Sequence, residues 1–297
     1  MAAAIPRATA LVLSCGLLAA ALAGGASARS VELALPLPDL GSQELLELAG
    51  VGLPPDGTTL QLHADFPDEA PLTIGDAAFY SLTANVASDG SVTMLSANPA
   101  TASAAPSAKL DECTDPAFAP TGPRWRASDM PVRWKFRRGS VPDGVGVFRS
   151  QYSLQSAHQV WSRARTNCKA AGEVSLGFRF DGDSRRKVAY DDVNLVDFGP
   201  LGGGALAMSY TWFAEGRILE VDLRLNRTDY PWTNRPDGEN RYHVSNVAAH
   251  EIGHQLGLDD LTDPHGALTM FGRISRGERS KTTLGRGDLR GASSLSP

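Results

Sequence analysis

His250 and His254 are four residues apart in the run His250-Glu251-Ile252-Gly253-His254-Gln255-Leu256-Gly257-Leu258-Asp259-Asp260. On a helix that spacing puts both imidazoles on one face, close enough for a nitrogen of each to bind one zinc ion. Glu251 stands one position round the helix, placed to take a proton from a water that the metal acidifies. Gly257 lets the chain turn sharply, so that a third ligand can arrive from beyond the helix. The chemistry these residues imply is metal-assisted hydrolysis of a peptide bond. The bland alternative is an exposed amphipathic helix with incidental histidines.

Such a site needs a rigid frame. The pattern predicts a helix from about 244 to 256, whose Val244, Ala248, Ile252 and Leu256 form one row for the core and leave His250 and His254 to face a cleft. Ahead of it, alternating strands are expected at 131–136, 174–180, 187–195, 206–212 and 218–225. Residues 148–168 read as a helix, with Phe148, Tyr152, Ala157, Val160, Trp161 and Ala164 at helical spacing. Residues 287–296 suit a short closing helix. Strands with a helix between them, followed by the metal helix, predict an α/β (α+β) sandwich on a mixed, twisted sheet.

Upstream the character changes. Residues 29–96 read as a separate, strand-rich segment, with a strand at 58–64 and a hairpin of 79–86 and 91–95 around Ser88-Asp89-Gly90. Residues 97–112 open with a small, Pro- and Ala-rich run and read as a linker. A propeptide, a binding module and a spacer all remain open for the leader, and 113–297 carries the metal motif.

The first 28 residues look like a signal peptide: Arg7, an apolar run from Ala8 to Ala23, and the small-residue site Ala26-Ser27-Ala28. Export to the extracellular space or the periplasm is therefore expected, with no membrane span left after cleavage. Cys15 lies within the apolar run, where Val12-Leu13-Ser14 makes a poor lipidation context. Its removal leaves Cys113 and Cys168, which in an exported protein most simply form one disulfide; a latency thiolate at Cys113 is the rival reading. Formal net charge is -5 and there is no basic stripe, so nucleic acid is not an expected partner.

The extended run resembles the metzincin signature, in which H-E-x-x-H-x-x-G-x-x-H/D is followed by a Met-turn. His250, Glu251, His254, Gly257 and Asp260 fall on it, with Met270 in Leu268-Thr269-Met270-Phe271 as the turn. Val247-Ala248-Ala249, Glu220 to Asn226 with Trp232, and Leu284 to Gly291 are similar to flanking segments of matrixins, so the resemblance covers about 113–297. It implies a zincin-like fold with a long first helix, an HExxH helix and a short C-terminal helix. It also implies a zinc endopeptidase: His250, His254 and Asp260 as metal ligands, Glu251 as general base, and Met270 as a packed floor. Aspartate at the third-ligand position is shared with a subset that includes the snapalysins, and a carboxylate oxygen is a competent zinc ligand. His265 is the rival, five residues later. Asp259 then reads as a helix-end carboxylate or one that orients a ligand.

The leader lacks a Pro-Arg-Cys-Gly-type thiolate switch. Asp181, Asp183, Asp191, Asp192 and Asp197 read either as a calcium site or as solvated turns. The partner implied is a protein or peptide bound in extended form along 206–212, with the wall beyond the metal coming from Phe271 to Ser275. Two other functions fit the same motif: a non-catalytic exported binding protein on this fold, and a zinc amidase acting on cell-wall peptide.

Overall fold

The computed structural model describes residues 37–100, 109–169 and 176–297. The expected signal peptide and Cys15 lie outside these residues, as do parts of the expected linker and of the strand at 174–180. Among the described residues no helix is long and apolar enough to cross a membrane.

The strands are β1 (Thr59–Asp65), β2 (Leu72–Ile74), β3 (Ala77–Ala87), β4 (Val92–Pro99), β5 (Val132–Phe136), β6 (Phe178–Asp183), β7 (Asn194–Gly199), β8 (Ala207–Ala214) and β9 (Arg217–Asn226). They form one mixed sheet in the order β2-β3-β1-β8-β9-β7-β5-β6, with β4 also on β3. β5, β6, β7 and β9 run parallel to one another, whereas β1 and β8 pair antiparallel, as do β8 and β9. The helices are α1 (Ser42–Ala49), α2 (Val147–Ser162), α3 (Val244–Gln255) and α4 (Arg286–Leu295). This is a mixed α/β fold of zincin-like form.

Two cores hold it. The first joins α2, α3 and α4 to the sheet through Trp134, Trp161, Leu223, Leu225, Ile252 and Leu289. The second joins Leu45, Leu48 and Ala49 of α1 to Leu60, Leu62 and Ala64 of β1 and to Met208, Tyr210 and Trp212 of β8. The leader strands thus share a sheet and a core with the strands that follow. The Tyr210 hydroxyl donates to the Ala49 carbonyl (2.6 Å), tying α1 to β8. The edge of β8, expected to be free for an extended partner, is taken along residues 207–213 by β1.

Two elements end differently from the sequence expectation, each for a local reason. The helix expected over 148–168 stops at Ser162, where the Ser162 hydroxyl donates back to the His158 carbonyl and accepts the Phe178 amide. Ala164 then takes a left-handed conformation (φ 45°) and turns the chain toward the disulfide of Cys113 with Cys168. The strand expected over 187–195 begins only at Asn194. Ahead of it the amides of Ala189, Asp191 and Asp192 donate to the carboxylates of Asp222 and Glu220, not to a neighbouring strand.

Three of the five acidic residues weighed for calcium have cationic side-chain partners. Asp197 takes a bidentate pair from Arg224 at 2.8 and 2.9 Å, Asp191 pairs with Arg186, and Asp181 lies near Arg133 and Lys135.

Glu220 gives a pH test. Burial, reinforced by the charges of Asp191 and Asp192, raises its carboxyl from 4.5 to about 7. The folded state therefore binds this proton more tightly than the unfolded chain. Its contribution is complete below about 4.5 and is lost as pH rises through about 7. In urea titrations between these limits, E220Q is expected to flatten the fall of stability with pH relative to the wild type. An unchanged slope would show that Glu220 does not carry it.

Candidate metal centre

α3 carries His250, Glu251 and His254 together, but where the sequence expectation had the imidazoles facing a cleft, all three side chains are fully buried. Each imidazole is oriented by its Nδ1. That of His250 lies 2.7 Å from the Thr269 carbonyl, and that of His254 lies 2.9 Å from the Leu258 carbonyl. A carbonyl only accepts, so both Nδ1 atoms carry the proton, and in the neutral rings both Nε2 atoms present lone pairs. Those two lone-pair nitrogens face each other at 3.2 Å. Two acceptors at that distance repel unless a cation lies between them.

The rest of the donor set makes the same demand. Asp260 Oδ1 is 3.1 Å from His250 Nε2, and Asp65 Oδ2 is 3.2 Å from it. One ligand atom from each of Asp65, His250, His254 and Asp260 lies within 4.8 Å of the others. Both Asp65 oxygens, Asp260 Oδ1 and Glu251 Oε1 are buried without a hydrogen-bond donor. Buried carboxylates without donors call for a cation or a proton. Ligands held at 2.0–2.1 Å around a tetrahedral zinc sit about 3.3 Å apart, so the spacing fits a zinc ion. The pocket's pull on positive charge also registers at His250. Burial alone would lower its pKa, but Asp65 and Asp260 reverse this and bring it to about 9.

Glu251 adjoins the cluster, with Oε2 2.9 Å from the Ser209 hydroxyl on β8. Burial, then the negative charge of Asp65, raises its carboxyl well above the ordinary range.

Gly257 (φ +100°) makes the turn after α3, and a Cβ there would meet the Pro123 carbonyl at 2.7 Å. The chain returns to bring Asp260 to the histidines. His265, the rival ligand, is drawn elsewhere: its Nδ1 pairs with Asp115 at 2.8 Å. Asp259 accepts the Thr83 hydroxyl at 2.8 Å and the Ser96 hydroxyl at 2.9 Å, so it ties the turn to the leader hairpin.

Met270 lies under α3, against Gly253. Its loop is fixed by Asp288 at the start of α4, which accepts the amides of Thr269 (2.9 Å), Met270 (3.1 Å) and Gly285 (2.8 Å). Lys281, 1% exposed, donates to the Thr269 and Phe271 carbonyls. Thr269 O thus joins a buried ammonium to the imidazole of His250.

Sequence reasoning missed Asp65, Ser209, Lys281 and also His63, whose ring stacks on His254 at 4.2 Å. One signal was available. In β1, Gln61, His63 and Asp65 alternate with Leu60, Leu62 and Ala64, and both rows are buried. A polar row written opposite an apolar one in a strand reads as solvent-facing. Here it faces α3.

Gly253 is where floor and helix meet. A Cβ there would lie 2.1 Å from Met270 Sδ and 2.8 Å from Trp161 Cζ2. Overpacking of this kind costs roughly 1–3 kcal/mol or more. G253A is expected to lower the thermal midpoint and weaken zinc binding together, read by calorimetry and metal titration. A midpoint equal to wild type would show that the floor yields freely.

The sequence profile described as Matrixin matches residues 124–296. Human matrix metalloproteinase-20 is 26% identical over 151 residues, which is 50% of this chain and 28% of that protein. The chain therefore matches less than a third of that relative's length. The profile covers more than half of the chain and spans α2, the sheet from β5 onward, both histidines, Asp260, Met270 and α4, and on this ground the chain belongs to the matrixin family.

Proposed function

We propose that this protein is an exported zinc-dependent endopeptidase, with His250, His254 and Asp260 holding the metal and Glu251 as general base. The facing Nε2 atoms of His250 and His254, with their Nδ1 protons anchored on backbone carbonyls, carry this reading. A zinc ion held there supplies Lewis acidity, polarising a peptide carbonyl and acidifying water. Glu251 accepts the proton of the attacking water and passes it to the departing amine. Ser209 orients the Glu251 carboxylate through its 2.9 Å contact. Thr269 O and Leu258 O keep the imidazoles in the tautomer that binds metal. The name of the human relative, a matrix metalloproteinase, supports the same reaction class.

The substrate in this reading is a protein or peptide in extended form, its side chains beyond the metal lying against Phe271 to Ser275. The domain roles follow: residues 1–28 direct export, 29–96 form the leader with 97–112 as linker, and 113–297 carry the enzyme.

The test combines metal content with cleavage of a diverse quenched-peptide pool by residues 29–297. One zinc per chain is expected, lost in H250A and H254A. E251A should keep the zinc and lower kcat/KM by at least about 100-fold, the scale for removing a general base. A chelator should abolish the remaining cleavage. Cleavage equal to wild type in zinc-loaded E251A would overturn the assignment of the base, and full cleavage by a zinc-free chain would overturn the metal mechanism.

A further inference from the structure

We propose that Lys281 is a positioning residue for the metal centre: its buried ammonium grips the two carbonyls on either side of that of Met270, and through this loop it sets the stance of both His250 and Asp260. This inference rests on the zinc reading above and adds to it a cation that holds ligands in place without being one.

The burial of the lysine makes the first argument. Lys281 sits in the short helical turn Ser280–Thr282 and is almost wholly enclosed. Its Nζ donates to the carbonyls of Thr269 (3.2 Å) and Phe271 and lies 5.7 Å from the centre of the Phe271 ring. Its hydrogen-bond partners are thus backbone carbonyls and not a carboxylate. Taking an ammonium out of water is costly, and a methionine of similar length would fill the same space without that cost. Core packing alone gives no reason for a cation here; two charge-assisted bonds to chosen carbonyls do.

What those carbonyls hold makes the second. Thr269 O also receives His250 Nδ1 at 2.7 Å, so ammonium and imidazole meet on one oxygen and occupy both of its lone pairs. One residue on, Met270 O accepts the Leu261 amide at 2.8 Å, and the Gly272 amide donates to Leu261 O at 3.0 Å. Leu261 follows Asp260, so this short parallel bridge between Leu261 and Phe271 decides where the Asp260 carboxylate stands. The carbonyls that Lys281 grips lie on both sides of the one that anchors Leu261. A shift of this stretch would move His250 and Asp260 together.

The lysine is itself in register with the metal helix. Its amide donates to Asn246 Oδ1 at 2.9 Å, and Asn246 stands one turn ahead of His250 on α3. His254 provides a control within the same site. Its Nδ1 is held by Leu258 O, to which no ammonium donates among the described residues. Loss of Lys281 should therefore disturb His250 and spare His254.

The experiment uses residues 29–297 labelled with heavy nitrogen at histidine and lysine, studied by NMR during a zinc titration, with zinc affinity measured against a competing chelator. In the zinc-loaded wild type one lysine ammonium should give a cross-peak at neutral pH, because burial slows exchange of its protons with water, and it should show through-space contact with the His250 Nδ1 proton. K281M removes the charge at similar length. Its His250 Nδ1 proton should shift and exchange faster with water while that of His254 stays in place, and its zinc dissociation constant should rise roughly tenfold or more, the scale on which loss of a ligand's outer partner acts. A wild type without a protected ammonium would overturn the proposal, and this arm needs no variant to fold. So would K281M with equal disturbance of both imidazoles, which marks a general loosening of the core, or with zinc bound more tightly than in the wild type. Zinc that shifts both imidazoles in the wild type, with no effect of K281M on either resonance or affinity, leaves the zinc reading standing and removes only the role of Lys281. Wild-type imidazoles that do not respond to zinc remove the zinc reading and this proposal with it.

Discussion

Everything around this site depends on keeping two imidazole lone pairs pointed at each other in a buried space. Left alone, they would rotate apart or take up protons. What prevents this is a set of backbone carbonyls, each fixed by something further out. The Thr269 carbonyl holds His250 and is itself held by Lys281, while the amides of Thr269 and Met270 are pinned by Asp288. The Leu258 carbonyl holds His254 and owes its position to the turn at Gly257. The Met-turn, the buried lysine and the cap of α4 therefore belong to the metal centre as much as its ligands do. A ligand whose second nitrogen is hydrogen-bonded is already committed to one tautomer and one angle.

The same logic explains where the leader sits. β8 carries a polar and an apolar face and, without a neighbour, would present a row of unpaired amides and carbonyls beside the metal. β1 supplies that neighbour, and its two faces meet two different needs. Leu60, Leu62 and Ala64 complete the core that α1 builds over Met208, Tyr210 and Trp212. Gln61, His63 and Asp65 stand on the other side, with the metal helix. Loss of β1 would thus bare the edge of β8 and expose apolar surface in one event.

How much of this was legible depended on whether the signal was local. The metal helix, its turn and Asp260 could be read because helix geometry converts a spacing of four into proximity. His265, the rival ligand, is paired with Asp115, a partner far away in sequence that no local spacing reveals. The expected strand at 187–195 failed at its start because Glu220 and Asp222, on another strand, capture its amides. Asp65 was hidden for a related reason. Its alternating strand looked half-exposed, and only the pairing of β1 with β8, across a long stretch of chain, turns its polar face inward. Period-two patterning tells which residues share a face, not what that face meets.

Charge balance ties the aspartate at the third-ligand position to the one in the leader. A divalent cation with two imidazoles and two carboxylates is neutral overall. A neutral cluster tolerates full burial far better than a charged one, since the cost of burying an uncompensated charge is several kcal/mol or more. With a histidine in place of Asp260, the same closed shell would carry a net positive charge in a space that excludes water. With both Asp260 and Asp65 beside the two imidazoles, a divalent cation at this cluster would be buried without net charge, and that is the condition under which full burial of the four side chains costs least.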